Sequence, residues 1–185
     1  VHYTHTAAQA LAAFEQAEPD AKVEVEVVGR LMSLRDMGKS SFAHIADGTA
    51  RIQLYARQDI VGEASYELLH KLIDLGDFVW AKGTLFRTRT GEITVEVQAL
   101  QILSKALRPL PEKWHGLKDV EARYRQRYLD LIANQETRRV FTTRSRIITG
   151  VRRYLDERGF LEVETPVLQP IYGGANARPF TTHHK

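Results

Sequence analysis

The run "KVEVEVV", residues 22–28, constrains the fold of this chain more than any other stretch. Val23, Val25 and Val27 alternate with Lys22, Glu24 and Glu26. In an extended chain successive side chains point to opposite faces, so the valines line one face of a strand and the charges the other. Such a strand needs a sheet with one buried side. The doublet Val27–Val28 before Gly29 interrupts the alternation, and a bulge or sharp bend is expected there. "SFAHIAD" and "RIQLYAR" read as two further strands, joined at Asp47–Gly48, a hairpin signal. "GEASYELLHKLIDLG" changes to helical spacing, with Leu68, Leu69, Leu72 and Leu75 on one side. "DFVWAKGTLFRTRT" and "EITVEVQALQIL" are the fourth and fifth strands, turning at Thr90–Gly91.

Ahead of the strands, "AAQALAAFEQA" is rich in helix formers and is stopped by Pro19, so residues 1–21 are read as an N-terminal helix. Residues 22–106 then carry five strands with a helix between the third and fourth. That is the plan of an OB-fold barrel, whose usual ligands are oligonucleotides held on strands two and three and the nearby loops. The fold class is α+β.

Residues 107–118 hold two prolines and a glycine and read as a linker. Residues 119–185 form a second segment. "DVEARYRQRYLDLIA" is expected as one helix with Val120, Tyr124, Tyr128 and Leu131 in a stripe. "QETRRVFTTRSRIITGVRRYLDERG" is a longer helix, with Phe141, Ile148, Val151 and Leu155 expected to face inward. Gly159 stands where a helix ends in a left-handed residue, and Thr165 is held extended by Pro166. No cysteine is present, which excludes disulfides and thiolate metal sites. No apolar run approaches bilayer length, so no membrane partner is expected. The start "VHYTHTAAQA" has neither a basic nor an apolar leader region. The net charge is +3, a mild excess that suits a polyanion.

The side chains that could carry function lie on the barrel strands. The second and third strands bear Phe42, His44, Gln53 and Tyr55, and the first bears Arg30 and Arg35. Lys39, Arg51, Arg57, Arg87 and Arg89 add positive charge. An unstacked RNA base needs an aromatic ring to stack on and an amide or carboxylate to read its edge. The plainer reading makes Phe42 a core residue and the arginines a solvated face. His183 and His184 are adjacent, and neighbours on a strand point to opposite faces, so metal binding there is not expected.

At "RGFLEVETPVL" the sequence resembles motif 1 of the class II aminoacyl-tRNA synthetases: a basic residue, Gly-Phe, a gap, Thr-Pro and an apolar residue. "MGKSSFAHIADG", "RIQLYARQD", "LRPLPEKWHGLKDVEARYRQRYLDLI" and "YGGANARPFTTHH" resemble, in order, segments of the lysyl branch of that family, over about residues 22–185. The aspartyl and asparaginyl branches share the architecture and stand as the alternative, beside a non-enzymatic OB-fold module that binds single strands. The resemblance implies ATP-dependent activation of lysine and its transfer to tRNA(Lys), in the cytoplasm. It implies that Phe42 stacks on an anticodon base, that Gln53 and Glu92 read base edges, and that Arg35 contacts the loop, with Arg30 and His44 as further contacts. The anticodon is uridine-rich; a Gln amide can satisfy uracil O4 and N3–H at once, and a Glu carboxylate accepts from N3–H. Gly173, Ala175 and Arg178 would shape the lysine pocket. Gly159, Phe160, Thr165 and Pro166 would form the motif 1 interface of a homodimer. Motifs 2 and 3 do not occur before Lys185, so the resemblance implies no catalytic residue in this chain, which alone is expected to make no adenylate and to bind no cofactor. ATP and Mg2+ would serve the full enzyme.

Overall fold

The structure is a computed structural model, which describes residues 2–18, 21–111, 117, 119–167 and 182–183. Helix α1 (Ala7–Gln16) starts in a capping box: the Thr6 hydroxyl accepts from the Gln9 amide and the Gln9 side chain accepts from the Thr6 amide. Five strands follow: β1 (Glu24–Asp36), β2 (Ser40–Ala46), β3 (Arg51–Arg57), β4 (Phe78–Arg87) and β5 (Ile93–Ser104). They close into a ring in the order β1-β2-β3-β5-β4, antiparallel except for β3 against β5. Short helices α2 (Gln58–Val61) and α3 (Glu63–Lys71) lie between β3 and β4. No described helix is long and apolar enough to cross a membrane.

The period of two does what it must. Val25, Val27, Leu31, Ile45, Ile52, Leu54, Val79, Leu85, Val95 and Val97 all point into the ring and are buried. Each such side chain contributes about 1.5–3 kcal/mol by leaving water. The expected irregularity at Val27–Val28–Gly29 is elsewhere. The pairing of β1 with β4 runs unbroken from Glu24 to Arg30, and the register shift against β2 falls between Leu31 and Ser33. Gly29 is there for close approach: a Cβ would stand 3.0 Å from the Ile45 Cβ and 3.1 Å from the Ala46 backbone. Gly83 is tighter still. A Cβ there would meet the Glu96 carbonyl oxygen at 2.0 Å, beside the shift between Lys82 and Gly83 that lets β4 curl onto β5.

The helix between the third and fourth strands is shorter than its leucine spacing suggests. It ends at Lys71, so Leu72 and Leu75 leave the helical face and are 59% and 49% exposed, while Tyr66, Leu69 and Ile73 face the ring. Asp77 is fully buried and ties the chain leaving β5 to this corner. Its carboxylate accepts from the Ala106 amide at 2.6 Å, the Asp74 amide at 2.9 Å and the Lys105 ammonium at 2.5 Å.

The second segment differs from expectation in two ways. The single helix after the linker is two: α4 (Val120–Arg125) and α5 (Arg127–Ala133), broken at Gln126. They gather around the buried Asp130 rather than along an apolar stripe. Asp130 accepts from Arg123 at 3.0 Å, Arg127 at 2.5 Å and Thr137 at 3.3 Å, and also from Asn134. Val120, Tyr124 and Tyr128 stay exposed. The long helix α6 (Gln135–Asp156) forms as its spacing demands, but Phe141, Ile148, Val151 and Leu155 do not face inward; they are exposed. No other described element covers that side of α6 beyond its first turns. The helix ends as expected: Gly159 takes φ 79°, its amide donates to Asp156 and that of Phe160 donates to Leu155. This pair of bonds is the Schellman pattern.

Candidate nucleic-acid interface

Strand register brings distant residues into two transverse rows on the outside of the ring. Arg35, Phe42, Tyr55 and Glu96 are successive cross-strand partners on β1, β2, β3 and β5. Ser33, His44, Gln53 and Thr94 are the same on the adjacent row. The alternation that buries Ala43, Ile45, Ile52 and Leu54 turns Phe42, His44, Gln53 and Tyr55 outward, each half-buried. Phe42 is therefore not a core residue. Its ring stacks on Tyr55 with centroids 4.6 Å apart and planes 26° apart, and Tyr55 meets Phe86 at 6.0 Å. Together they make an aromatic platform. Beside Tyr55 lies a cleft of about 550 Å³ whose lining includes Lys39, Ser40 and Arg57.

The second row is polar and closely bonded. Glu92 is half-exposed in the turn between β4 and β5 and reaches back over β2 and β3. Its two carboxylate oxygens accept from His44 Nε2 at 2.9 Å and from Gln53 Nε2 at 2.9 Å. Gln53 Oε1 accepts from the buried Thr94 hydroxyl at 2.7 Å, and Ser33 Oγ meets His44 Nδ1 at 2.9 Å. The Glu92 turn is fixed from three sides. The Thr88 amide donates to the Glu92 carbonyl at 2.9 Å, and the Glu92 amide donates to the Thr88 hydroxyl at 3.1 Å. Arg87 donates to the Gly91 carbonyl at 3.0 Å and also pairs with Glu15 of α1 at 2.7 Å.

Five of the six barrel residues named from the sequence thus stand together: Arg35, Phe42, His44, Gln53 and Glu92. Arg30 does not join them. It sits midway along β1, across from Ala46 at the far end of β2, its guanidinium 4.2 Å from the centre of the Phe78 ring and bonded to the Gly76 carbonyl at 2.9 Å. Burial there pushes it below the ordinary arginine pKa. Gln53 Oε1 is turned to Thr94 and its Nε2 to Glu92, so the Gln53 N–H lies beside the Glu92 carboxylate. Thr94, Ser33, Glu96 and Phe86 were not singled out from the sequence. Their place depends on cross-strand register, and Thr94 reaches Gln53 through the one parallel pairing, which no local pattern marks.

Gly173, Ala175 and Arg178 lie outside the described residues. Gly159, Phe160, Thr165 and Pro166 follow the end of α6, where no described residue forms a paired strand; Phe160 is 61% exposed. Among the described residues no group of three or more His, Asp or Glu side chains is placed to hold a metal ion.

Two family profiles match the chain. Residues 25–103 match the OB-fold nucleic acid binding domain, and residues 119–185 match the class II tRNA synthetases of the D, K and N type. The class is thus a nucleic-acid-binding OB-fold followed by part of a class II synthetase domain. Among individual proteins, the chain is 56% identical to a lysine–tRNA ligase of Dehalococcoides mccartyi over 187 residues, covering 100% of this chain and 37% of that protein. It is 58% identical to the lysine–tRNA ligase of Pelotomaculum thermopropionicum over 98% of this chain and 35% of that protein. It is 59% identical to that of Aquifex aeolicus over 86% of this chain and 27% of that protein. The chain is thus similar over most or all of its length to lysine–tRNA ligases, and it spans about a third of the length of the curated relatives it matches.

Proposed function

We propose that the whole protein is a lysine–tRNA ligase, which activates lysine with ATP and attaches it to tRNA(Lys), and that this chain supplies its anticodon-reading module. In this reading residues 22–106 grip the anticodon loop, residues 107–118 link, and residues 119–185 begin the catalytic domain. Phe42 and Tyr55 give a stacking surface for an unpaired base. Gln53 N–H and the Glu92 carboxylate give a donor beside an acceptor, the complement of uracil O4 beside N3–H. Arg35, next to Phe42, supplies charge for the loop phosphates. The observation that carries the reading is the register that sets this platform beside the Gln53–Glu92 pair on one outer face.

Lysine and ATP would be handled by the catalytic domain, with Gly173, Ala175 and Arg178 near the lysine and Mg2+ with the nucleotide; magnesium is assigned no residue of this chain. Gly159, Phe160, Thr165 and Pro166 would meet a second copy in a homodimer. The exposed side of α6, with Val140, Ile147, Val151 and Tyr154, supports the presence of some covering partner. The compartment proposed is the cytoplasm.

Fluorescence anisotropy of this chain against two RNA hairpins at one stated salt concentration tests the reading. One loop carries UUU and the other GUC, the aspartate anticodon. Preference for UUU that disappears in Gln53→Ala is the expected result; equal binding to both hairpins overturns it.

A further inference from the structure

We infer that Thr94 and Ser33 are positioning residues that set the hydrogen-bond polarity of the proposed reading face, so that it selects a base with a ring N–H beside a carbonyl, uracil or guanine. A base with a bare ring nitrogen beside an amino group, cytosine or adenine, is rejected. The inference rests on the anticodon reading above and deepens it.

The polarity follows from counting hydrogens. A Gln side chain can be turned either way unless its neighbours fix it. Gln53 lies between the Glu92 carboxylate at 2.9 Å and the Thr94 hydroxyl at 2.7 Å. A carboxylate only accepts, so the nitrogen must face Glu92 and the oxygen must face Thr94. Thr94 Oγ1 carries one hydrogen and has two acceptors in reach, Gln53 Oε1 at 2.7 Å and the Glu92 carbonyl at 3.2 Å. The shorter contact goes to Gln53. With its oxygen turned to Thr94, Gln53 presents its second N–H, beside the Glu92 carboxylate, to the outer face.

His44 is fixed in the same way. Its Nε2 faces Glu92 at 2.9 Å and therefore donates. In the neutral ring Nδ1 then has a lone pair, and it accepts from the Ser33 hydroxyl at 2.9 Å. Gln53 Nε2 lies 3.4 Å from His44 Nε2, and both carry hydrogen, so that contact draws neither away from Glu92. Glu92 is thus held by one donor on each oxygen and keeps lone pairs for a ligand. A carbonyl meets Gln53 N–H, and a ring N–H meets Glu92. Cytosine and adenine reverse both groups, putting donor against donor and lone pair against lone pair. Such a mismatch leaves desolvated polar groups unpaired, which is where discrimination comes from.

The test compares the chain with its Thr94→Val and Thr94→Ser variants, using RNA hairpins whose loops carry UUU or UCU. Valine keeps the shape of threonine and removes the hydroxyl; serine restores the hydroxyl. The parent chain is expected to prefer UUU by about tenfold or more. Thr94→Val should bring the ratio to within about threefold of unity, and Thr94→Ser should recover it. A packing role would weaken both RNAs alike and leave the ratio unchanged. An unchanged ratio in Thr94→Val, with the parent still preferring UUU, overturns the inference and leaves the anticodon reading standing. A parent without any preference overturns the reading itself. A second measurement needs no variant to fold. The 15N shifts of the His44 ring in the parent, followed to the alkaline limit at which they stop changing with pH, should report hydrogen on Nε2. Hydrogen on Nδ1 overturns the assignment of Ser33.

Discussion

The barrel and the long helix spend their apolar residues in opposite ways. Inside the ring Val25, Val27, Leu31, Ile45, Ile52, Val79, Val95 and Val97 are nearly inaccessible. On α6, Val140, Ile147, Val151 and Tyr154 are all more than half exposed, as are Phe160, Leu161, Val163 and Val167 beyond it. The polar groups show the same split. Asp77 and Asp130 are each fully buried, yet the first closes a packed corner of the barrel while the second is the chief tie among three helices. A barrel of this kind is complete in itself. The helical segment has charges well placed and hydrophobic surface left over, which is the mark of an element built to be covered.

Two glycines give the widest separation of the regions. Gly83→Ala forces a Cβ onto the Glu96 carbonyl, and we expect a loss of about 5 kcal/mol or no folded barrel. Gly150→Ala on α6 meets nothing within 4 Å and should raise helix stability by about 0.5–1 kcal/mol. Urea unfolding followed by circular dichroism measures both. A barrel that tolerates Gly83→Ala would break the contrast.

Next in size is the loss of a buried carboxylate. Asp130→Ala leaves Arg123 and Arg127 facing an empty site and should cost the helical segment about 3–4 kcal/mol, read by hydrogen exchange of α4, α5 and the start of α6. The barrel amides should not change. Acid acts through the same groups. Burial works to raise the Asp130 carboxyl, but the bonds from Asn134, Arg123 and Thr137 and the charge of Arg123 outweigh it and hold it below the usual carboxylate value. Burial also opposes the Asp74 amide, Lys105 and Ala106 at Asp77, with the same net result. A carboxyl held low in the folded state contributes stability that is full above its unfolded value, about 4. That stability is lost as pH falls through the lower folded value. Stability should therefore stay level above about pH 5 and fall below about pH 4. A thermal melt series across pH 3–7 checks this, and Asp77→Asn should flatten the fall in the barrel signal alone.

A smaller effect separates the ring's inside from its outside. Phe42→Ala should cost about 1–3 kcal/mol of affinity for a UUU hairpin while the barrel stays folded. Leu54→Ala, one strand away and pointing inward, should cost about 2–5 kcal/mol of stability. If Phe42→Ala unfolded the barrel with RNA affinity intact, Phe42 would be a core residue after all. Smallest of all, Ile147→Glu on α6 should change stability by less than about 0.5 kcal/mol and reduce concentration-dependent association in sedimentation. A monodisperse monomer before substitution would count against the covered-face account.

The sequence made the ring legible because its signals are local. "KVEVEVV", Asp47–Gly48 and Thr90–Gly91 mark strands and turns within a few residues, and the buried valines follow from the period alone. Phe42, Gln53 and Glu92 could be named through their family resemblance, but their contacts could not. The Glu92 carboxylate bonds to His44 and Gln53 across 48 and 39 residues, and only closure of the ring fixes that. A valine doublet before glycine looks like a break, whereas Gly29 keeps the register and yields space to Ile45 and Ala46. Periodicity tells which residues of a helix share a face and not whether anything lies against it. The buried Asp130 left no mark, since an aspartate amid arginines reads as surface.

The most direct measurement is a two-dimensional 15N–1H titration of this chain with the UUU hairpin. The account predicts shifts confined to the two rows and their turn, at Ser33, Arg35, Phe42, His44, Gln53, Tyr55, Glu92, Thr94 and Glu96, with α6 silent. Shifts centred on α6 or on Arg30, with the face of β2 and β3 unmoved, would contradict it.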